Sequence, residues 1–189
     1  MYVEDKTFEK IDIIEKTLAP GEYENCDFNN CDFSNADFSN IAFIECHFTN
    51  CNLSMVQLHS TTFRDVIFKN CKMLGLNFEH CGSLGLAFTF DDCILNHSSF
   101  YQTKIKKTIF KNSQLQEVDF TDCDLTNAVL QNCDLLNAKF ENTTIEKADF
   151  KTAYNYSIDP EKNRIKKACF SLLGVVGLLA KYDIKIEAV

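Results

Sequence analysis

A five-residue period constrains this chain more than any other feature. Large apolar residues recur at Tyr23, Phe28, Phe33, Phe38, Phe43, Phe48, Leu53, Leu58, Phe63, Phe68, Met73 and Phe78; Ser83 misses, and Phe88 resumes the pattern. A second register runs through Phe90, Leu95, Phe100, Ile105, Phe110, Leu115, Phe120, Leu125, Leu130, Leu135, Phe140, Ile145 and Phe150. Five fits neither the 3.6 of a helix nor the 2 of a flat strand, so no single regular element keeps these centres on one face. The chain must turn once per repeat. The residue two before each centre is mostly small, as at Cys26, Cys31, Ala36, Cys46, Cys51, Ser98, Thr103, Thr108, Ala128, Ala138 and Ala148. In an extended triplet, positions two apart share a face, so small and large residues alternate inside while the residue between them points out.

The last two residues of each repeat form the corner. Asn stands two after the centre at 25, 30, 35, 40, 50, 70, 112, 127, 132, 137 and 142, and Asn tolerates the left-handed backbone that tight turns require. Successive coils then pair through backbone hydrogen bonds at a spacing of about 4.8 Å, each burying its Phe and Leu against the coils above and below. This use of Phe explains a composition with 17 Phe and no Trp.

Units such as CDFNN, CDFSN, ADFSN, CNLSM, CDLTN, CDLLN and ADFKT resemble those of the pentapeptide-repeat proteins. The resemblance implies a right-handed quadrilateral β-helix with four repeats per coil, an all-β solenoid. On that basis residues 21–152 make about 6 to 7 coils and a rod roughly 30 Å long. A register break is expected near 79–92, where two extra residues shift the frame. Phe88 there fits as a centre in the first frame and as an inner residue in the second.

Residues 1–20 read as an N-terminal cap or loose first coil. Phe8, Ile13 and Leu18 keep the phase, but Lys6 and Lys16 fall at inner positions that a packed coil would not tolerate. Residues 153–189 read as a short helical cap, with Asp159 as N-cap and Pro160 at the first helical position. A second short helix and a last strand are expected after it. This end resembles the C-terminal region of the Qnr-type quinolone-resistance proteins, which implies a tail-to-tail homodimer, with Leu178, Leu179, Tyr182, Ile184 and Ile186 as the candidate interface.

Of the ten cysteines, all but Cys169 sit at the inner small position. Cys31, Cys51 and Cys71 share one column and Cys26 and Cys46 another, the arrangement of buried space-fillers and not of four ligands converging on a metal. His47, His59, His80 and His97 fall at outward or corner positions. There is no glycine-rich phosphate loop, HExxH or GxSxG motif, and a regular rod offers no deep pocket. The expectation is a non-catalytic protein without cofactor or metal. The charged start MYVEDKTFEK lacks the apolar core of a secretory signal. Leu172 to Ala180 is about half the roughly 20 residues of a membrane-spanning helix. These readings point to a cytoplasmic protein with reduced thiols.

A formal charge of −8 disfavours direct nucleic-acid binding, which needs cations against phosphate. Residues 21–63 hold six acids and no Lys or Arg, residues 64–111 four acids and seven bases, and residues 112–150 eight acids and two bases. The rod therefore has acidic ends and a basic waist, the latter including Lys104, Lys106, Lys107 and Lys111. The candidate acidic partner-binding surface comprises Asp27, Asp32, Asp37, Asp119, Asp124 and Asp134. The function read from these features is a protein-interaction scaffold whose partner docks on one flat face. The Qnr resemblance implies an alternative, a DNA-mimicking binder of DNA gyrase or topoisomerase IV with quinolone protection. Qnr-type proteins carry protruding loops, whereas this chain has no insertion longer than two residues between Tyr23 and Phe150.

The inward assignment of the centres is testable: Phe38→Asp buries an unpaired charge and is expected to cost on the order of 4 kcal/mol. Unchanged thermal unfolding of that variant would overturn it.

Overall fold

The structure, a computed structural model, describes residues 1–12, 18–82 and 85–187. Nine short strands, Thr7–Glu9, Asp27–Asn29, His47–Thr49, Val66–Lys69, Phe88–Asp91, Ile109–Lys111, Val129–Gln131, Asp149–Phe150 and Cys169–Phe170, pair in that order as one parallel sheet. A second parallel sheet stacks Tyr2–Glu4, Glu22–Glu24, Ala42–Ile44 and Thr62–Arg64. Single bridges complete two more faces, one running from Asp12 through Asp32, Asn52, Lys72, Ile94, Gln114 and Asp134 to Tyr154, the other including Asp37 to Gln57 and Asn77 through Ser99 and Asp119 to Lys139. Partners differ by 20 residues nearly throughout, as in Phe28 opposite Phe48, so four five-residue units close one coil.

The result is a parallel β-solenoid of about eight turns, roughly 38 Å at 4.8 Å per turn. This exceeds the expected 6 to 7 coils because the pattern extends at both ends. Val3 and Phe8 begin it, half-buried against the core. Ile165 and Phe170 continue the same five-residue frame after misses at Asn155 and Pro160, with Tyr156 and Ile158 turned inward in their place. Lys6 is exposed in the first coil; Ile13, Lys16 and Ser83 lie outside the described residues.

The core is an aromatic stack. Phe8, Phe28, Phe48, Phe68, Phe90 and Phe110 lie one above another with ring centroids 4.6 to 5.4 Å apart and planes within 20° of parallel. Phe78, Phe100, Phe120 and Phe140 form a second column at 4.4 to 5.4 Å. Coil spacing fixes this: parallel strands place identical positions about 4.8 Å apart, close to the separation of stacked rings. Rings from adjacent faces meet edge-on, as Phe28 and Phe43 do at 83°.

Most corners adopt left-handed backbone at the second residue after the centre, with φ between +50° and +62° at the non-glycine positions. Asn predominates, but Glu45, Met55, His97, Gln102 and Lys107 do the same, so the coil geometry dictates the conformation and Asn is the residue that adopts it at least cost. Asn also pairs between coils: Asn50 Nδ2 donates to Asn30 Oδ1 at 3.2 Å, and Asn132 Nδ2 to Asn112 Oδ1 at 3.0 Å. Tight corners close with the amide three residues on donating to the centre carbonyl, as Ala36 N–H does to Phe33 O at 2.9 Å.

The register break is real and local. Gly82 N–H still donates to Thr61 O, and Ala87 N–H donates to Phe63 O, so the two extra residues fall between these points. Beyond them Phe68 pairs with Phe90, a step of 22. Phe88 is the inner residue of the second frame, 4 % exposed and touching Phe63, Phe68, Phe78 and Phe90.

The expected helix at Asp159 is absent. Residues 159–167 are part of another coil, in which Arg164 bridges Thr144 and Lys167 takes a corner φ of +62°. Asp159 Oδ1 accepts the Glu161 N–H at 2.9 Å, the same local bond that Asp makes at other corners, and stacking on the coil below outweighs the helix-start chemistry. The only helical turns after it are the 3-10 segments Gly174–Leu178 and Ala180–Tyr182, and no strand follows them among the described residues.

Candidate interaction surfaces

The six candidate acids are outward but do not converge. Asp27, Asp32 and Asp37 lie on three successive faces of one coil, and Asp119, Asp124 and Asp134 near the other end of the rod are likewise distributed around it. Asp32 and Asp134 share a face five coils apart, roughly 24 Å. Five of the six serve the corners. Asp32 Oδ1 accepts the Ser34 N–H at 2.9 Å, Asp37 that of Ser39 at 2.8 Å, Asp119 that of Thr121 at 2.9 Å, Asp124 that of Thr126 at 3.1 Å and Asp134 that of Leu136 at 3.2 Å. These are Asx-turns, the reason Asp is favoured directly before a turn. The bonds from Ser34 and Ser39 hold the Asp32 and Asp37 carboxyls below their ordinary range. Asp27 instead faces His47, Oδ1 to Nδ1 3.0 Å.

The other histidines remain at the surface: His97 lies 3.2 Å from Glu117, and the rings of His59 and His80 are 5.6 Å apart. His59 and His80 line one shallow groove with Met55 and Gly75. Among the described residues, no group of three or more His, Cys, Asp or Glu is placed to hold a metal ion.

Nine cysteines are buried, and Cys169 is exposed. They do more than fill space. Cys46 Sγ donates to Tyr23 O at 3.2 Å, Cys51 to Phe28 O at 3.2 Å, Cys71 to Phe48 O at 3.3 Å and Cys93 to Phe68 O at 3.4 Å. Each thus binds the centre carbonyl one coil below. Thr61 and Thr143 make the equivalent bond at 2.8 and 2.7 Å, to Phe38 O and Phe120 O. The sequence carried this signal, because Cys, Ser and Thr interchange at the inner position and share a donor.

The C-terminal candidates divide. Leu178 packs against the core, and Gly177 O accepts the Ile158 N–H at 3.0 Å, which ties this segment to the last coil. Leu179 is half-buried; Tyr182, Ile184 and Ile186 are exposed, and Tyr182 Oη donates to Glu161 at 3.3 Å. Among the described residues the most exposed apolar side chains are Leu172 and Leu173, at 88 % and 90 %. Periodicity could not single these out, since they follow the last centre. No described helix is long and apolar enough to cross a membrane.

A four-sided stack of five-residue units whose inner positions alternate Phe or Leu with Cys, Ala or Thr defines a class of repeat-protein scaffold. The chain belongs to the pentapeptide-repeat family, whose pentapeptide repeat region matches residues 22–88 and 76–150. Among solved structures it is similar to full-length QnrB1, a plasmid-mediated fluoroquinolone resistance protein, with 16% identity over 97% of this chain and 100% of that one and a TM-score of 0.65. A trypsin-treated QnrB1 variant gives 15% identity over 99% and 100% of the two chains, TM-score 0.63. HetL, a pentapeptide repeat protein involved in heterocyst differentiation regulation from the cyanobacterium Nostoc, gives 14% identity over 89% and 84%, TM-score 0.47. No curated protein sequence matches the chain.

Burial pushes the thiols of Cys31 and Cys46 up to about 11 and those of Cys123 and Cys133 to about 12, against 9.0 for a free thiol. Their contribution to stability is therefore fully present below pH 9 and is lost as pH rises through 11 to 12. A thiol-reactive dye at neutral pH is expected to label one cysteine in the native protein and ten after denaturation. Rapid labelling of more than one native thiol would overturn the assignment.

Proposed function

We propose that this protein is a non-catalytic interaction scaffold that holds a protein partner against one of its flat faces. The observation that carries this reading is the continuous solenoid itself. Within each strand its side chains alternate between core and surface, and five of its six candidate acids are engaged in corner geometry and not gathered around a cleft. A rod of this kind offers long, rigid, flat sides, the form in which solenoid repeats present binding surface.

A second reading, a DNA-mimicking binder of DNA gyrase or topoisomerase IV, is favoured by the negative charge and by the end-to-end likeness in shape to QnrB1. Against it stand the carboxylates spread over several faces and the single two-residue insertion where loops would protrude. Fold likeness alone does not carry function. We place the protein in the cytoplasm as a tail-to-tail homodimer, a reading supported by the exposed Leu172, Leu173, Tyr182, Ile184 and Ile186 at one end.

A gyrase supercoiling assay with and without a fluoroquinolone, near physiological salt so that diffuse charge effects are screened, separates the two readings. The scaffold reading expects neither inhibition nor drug protection, together with retention of a partner protein on the immobilised rod. Inhibition or protection at low micromolar protein would replace it with the topoisomerase reading. The dimer is tested by light scattering: the double substitution Leu172→Asp and Leu173→Asp is expected to halve the mass. A monomer before substitution would end that proposal.

A further inference from the structure

The basic waist forms a surface that acidic ends and corner carboxylates do not explain. On the nine-stranded face the outward positions Ile67, Thr89, Ile109 and Val129 are direct ladder partners, so they form a continuous stripe about 14 Å long. Ile67 and Ile109 are 38 % and 40 % exposed, although β-branched aliphatics at this site gain nothing from water. The neighbouring ladder, Lys69, Asp91, Lys111 and Gln131, runs along one side. Arg64, Lys106 and Lys107 stand at the corner on the other side.

The register break shapes the middle of this surface. A depression of about 400 Å³ opens beside the insertion, lined by Asp65, Ile67, Phe88, Thr89, Lys106 and Lys107. Lys111 and Lys106 are paired with Asp91 at 3.2 Å and Asp124 at 3.1 Å. Arg64, Lys69 and Lys107 form no ion pair with any described residue. Five cations thus face three carboxylates, Asp65, Asp91 and Asp124, around an apolar stripe, on a protein whose overall charge is negative.

From this we infer that the waist of the nine-stranded face docks an acidic amphipathic helix of a partner protein, a reading that rests on the scaffold function and names its face and ligand. Charge complementarity selects acidic side chains, and the isoleucine stripe selects an apolar seam between them. A helix fits the dimensions, because its diameter of about 10 Å matches the width of a three-residue extended face. Its pitch of about 5.4 Å also runs close to the 4.8 Å coil spacing. Nucleic acid is disfavoured by the apolar stripe, which offers no aromatic platform for bases, and by Asp65 and Asp91 among the cations.

The test is selection of a random-peptide display library on the intact protein, followed by affinity measurement of the enriched peptides. Measurements use wild type, the charge-reversed pair Arg64→Glu and Lys107→Glu, and the pair Ile67→Thr and Ile109→Thr, all checked for native circular dichroism. Enriched peptides should carry Asp or Glu flanking an apolar seam at helical spacing, bind more weakly as salt is raised, and lose roughly tenfold or more in affinity to each variant. Peptides without that pattern, or equal binding to all three proteins, would overturn the docking site while leaving the scaffold reading intact. So would tighter binding of a duplex DNA or single-stranded RNA oligonucleotide than of any selected peptide. Failure to enrich any peptide would also overturn it, and the scaffold reading would then rest on retention of a partner by the immobilised rod.

Discussion

Everything in this structure depends on the parallel backbone ladder that joins each coil to the next. Twenty residues return the chain to the same face, and the ladder holds that return at the coil spacing. Once it is set, identical positions stack: Phe48 sits 4.6 Å above Phe28, Asn50 donates to Asn30, and Cys51 reaches the Phe28 carbonyl. No one of these contacts is strong. A stacked aromatic pair adds about 1 kcal/mol beyond burial and a neutral hydrogen bond a similar amount, but such contacts repeat along the rod, and stability in such solenoids is close to a sum over neighbouring repeats.

The same ladder restricts where function can reside. Inner positions are buried away from solvent, and the corner acids are partly committed to Asx-turns. What remains for a partner is the outward residue of those strands where it is not an Asx-turn acid, together with the first residue of each corner. Surface character is therefore written in stripes along the axis, one per face, and a change of residue at one level alters one rung of a stripe. The break after Gly82 interrupts this regularity. It replaces the four-stranded face by isolated bridges, brings Phe88 into a position normally given to a small residue, and opens the depression beside Lys106 and Lys107.

The ends obey the physics of an exposed ladder. An uncovered last coil would present unpaired backbone and apolar rings. At the C-terminus Gly174 and Gly177 of the first 3-10 segment lie close against Tyr156, and Lys181 bonds Asp159 at 2.8 Å. The uncovered apolar side chains are then displaced onto Leu172 and Leu173.

The centres, the small inner residues and the left-handed corners were legible in the sequence, because a period of five with one large, one small and one turn-forming position admits few backbone paths. The break was visible as a two-residue shift, and the absence of long insertions could be read directly. Three things were not legible. The first was the true length of the rod, since Asn155 and Pro160 interrupt the pattern while Ile165 and Phe170 restore it. Asp159-Pro160 also reads locally as a helix start, and only stacking on the Thr144 coil shows that it is not. The second was the partner of each inner thiol: interchange of Cys, Ser and Thr marks a donor at that position, but the carbonyl it meets lies 23 residues away, one coil below. The third was which outward residues share a face: Asp32 and Asp37 are neighbours in sequence but lie on different sides, whereas Ile67 and Ile109 are distant in sequence and two rungs apart in one stripe. The five-residue period sets how each repeat turns, but the stacking of coils decides which residues meet, because contacts across a solenoid depend on register between turns and not on distance along the chain.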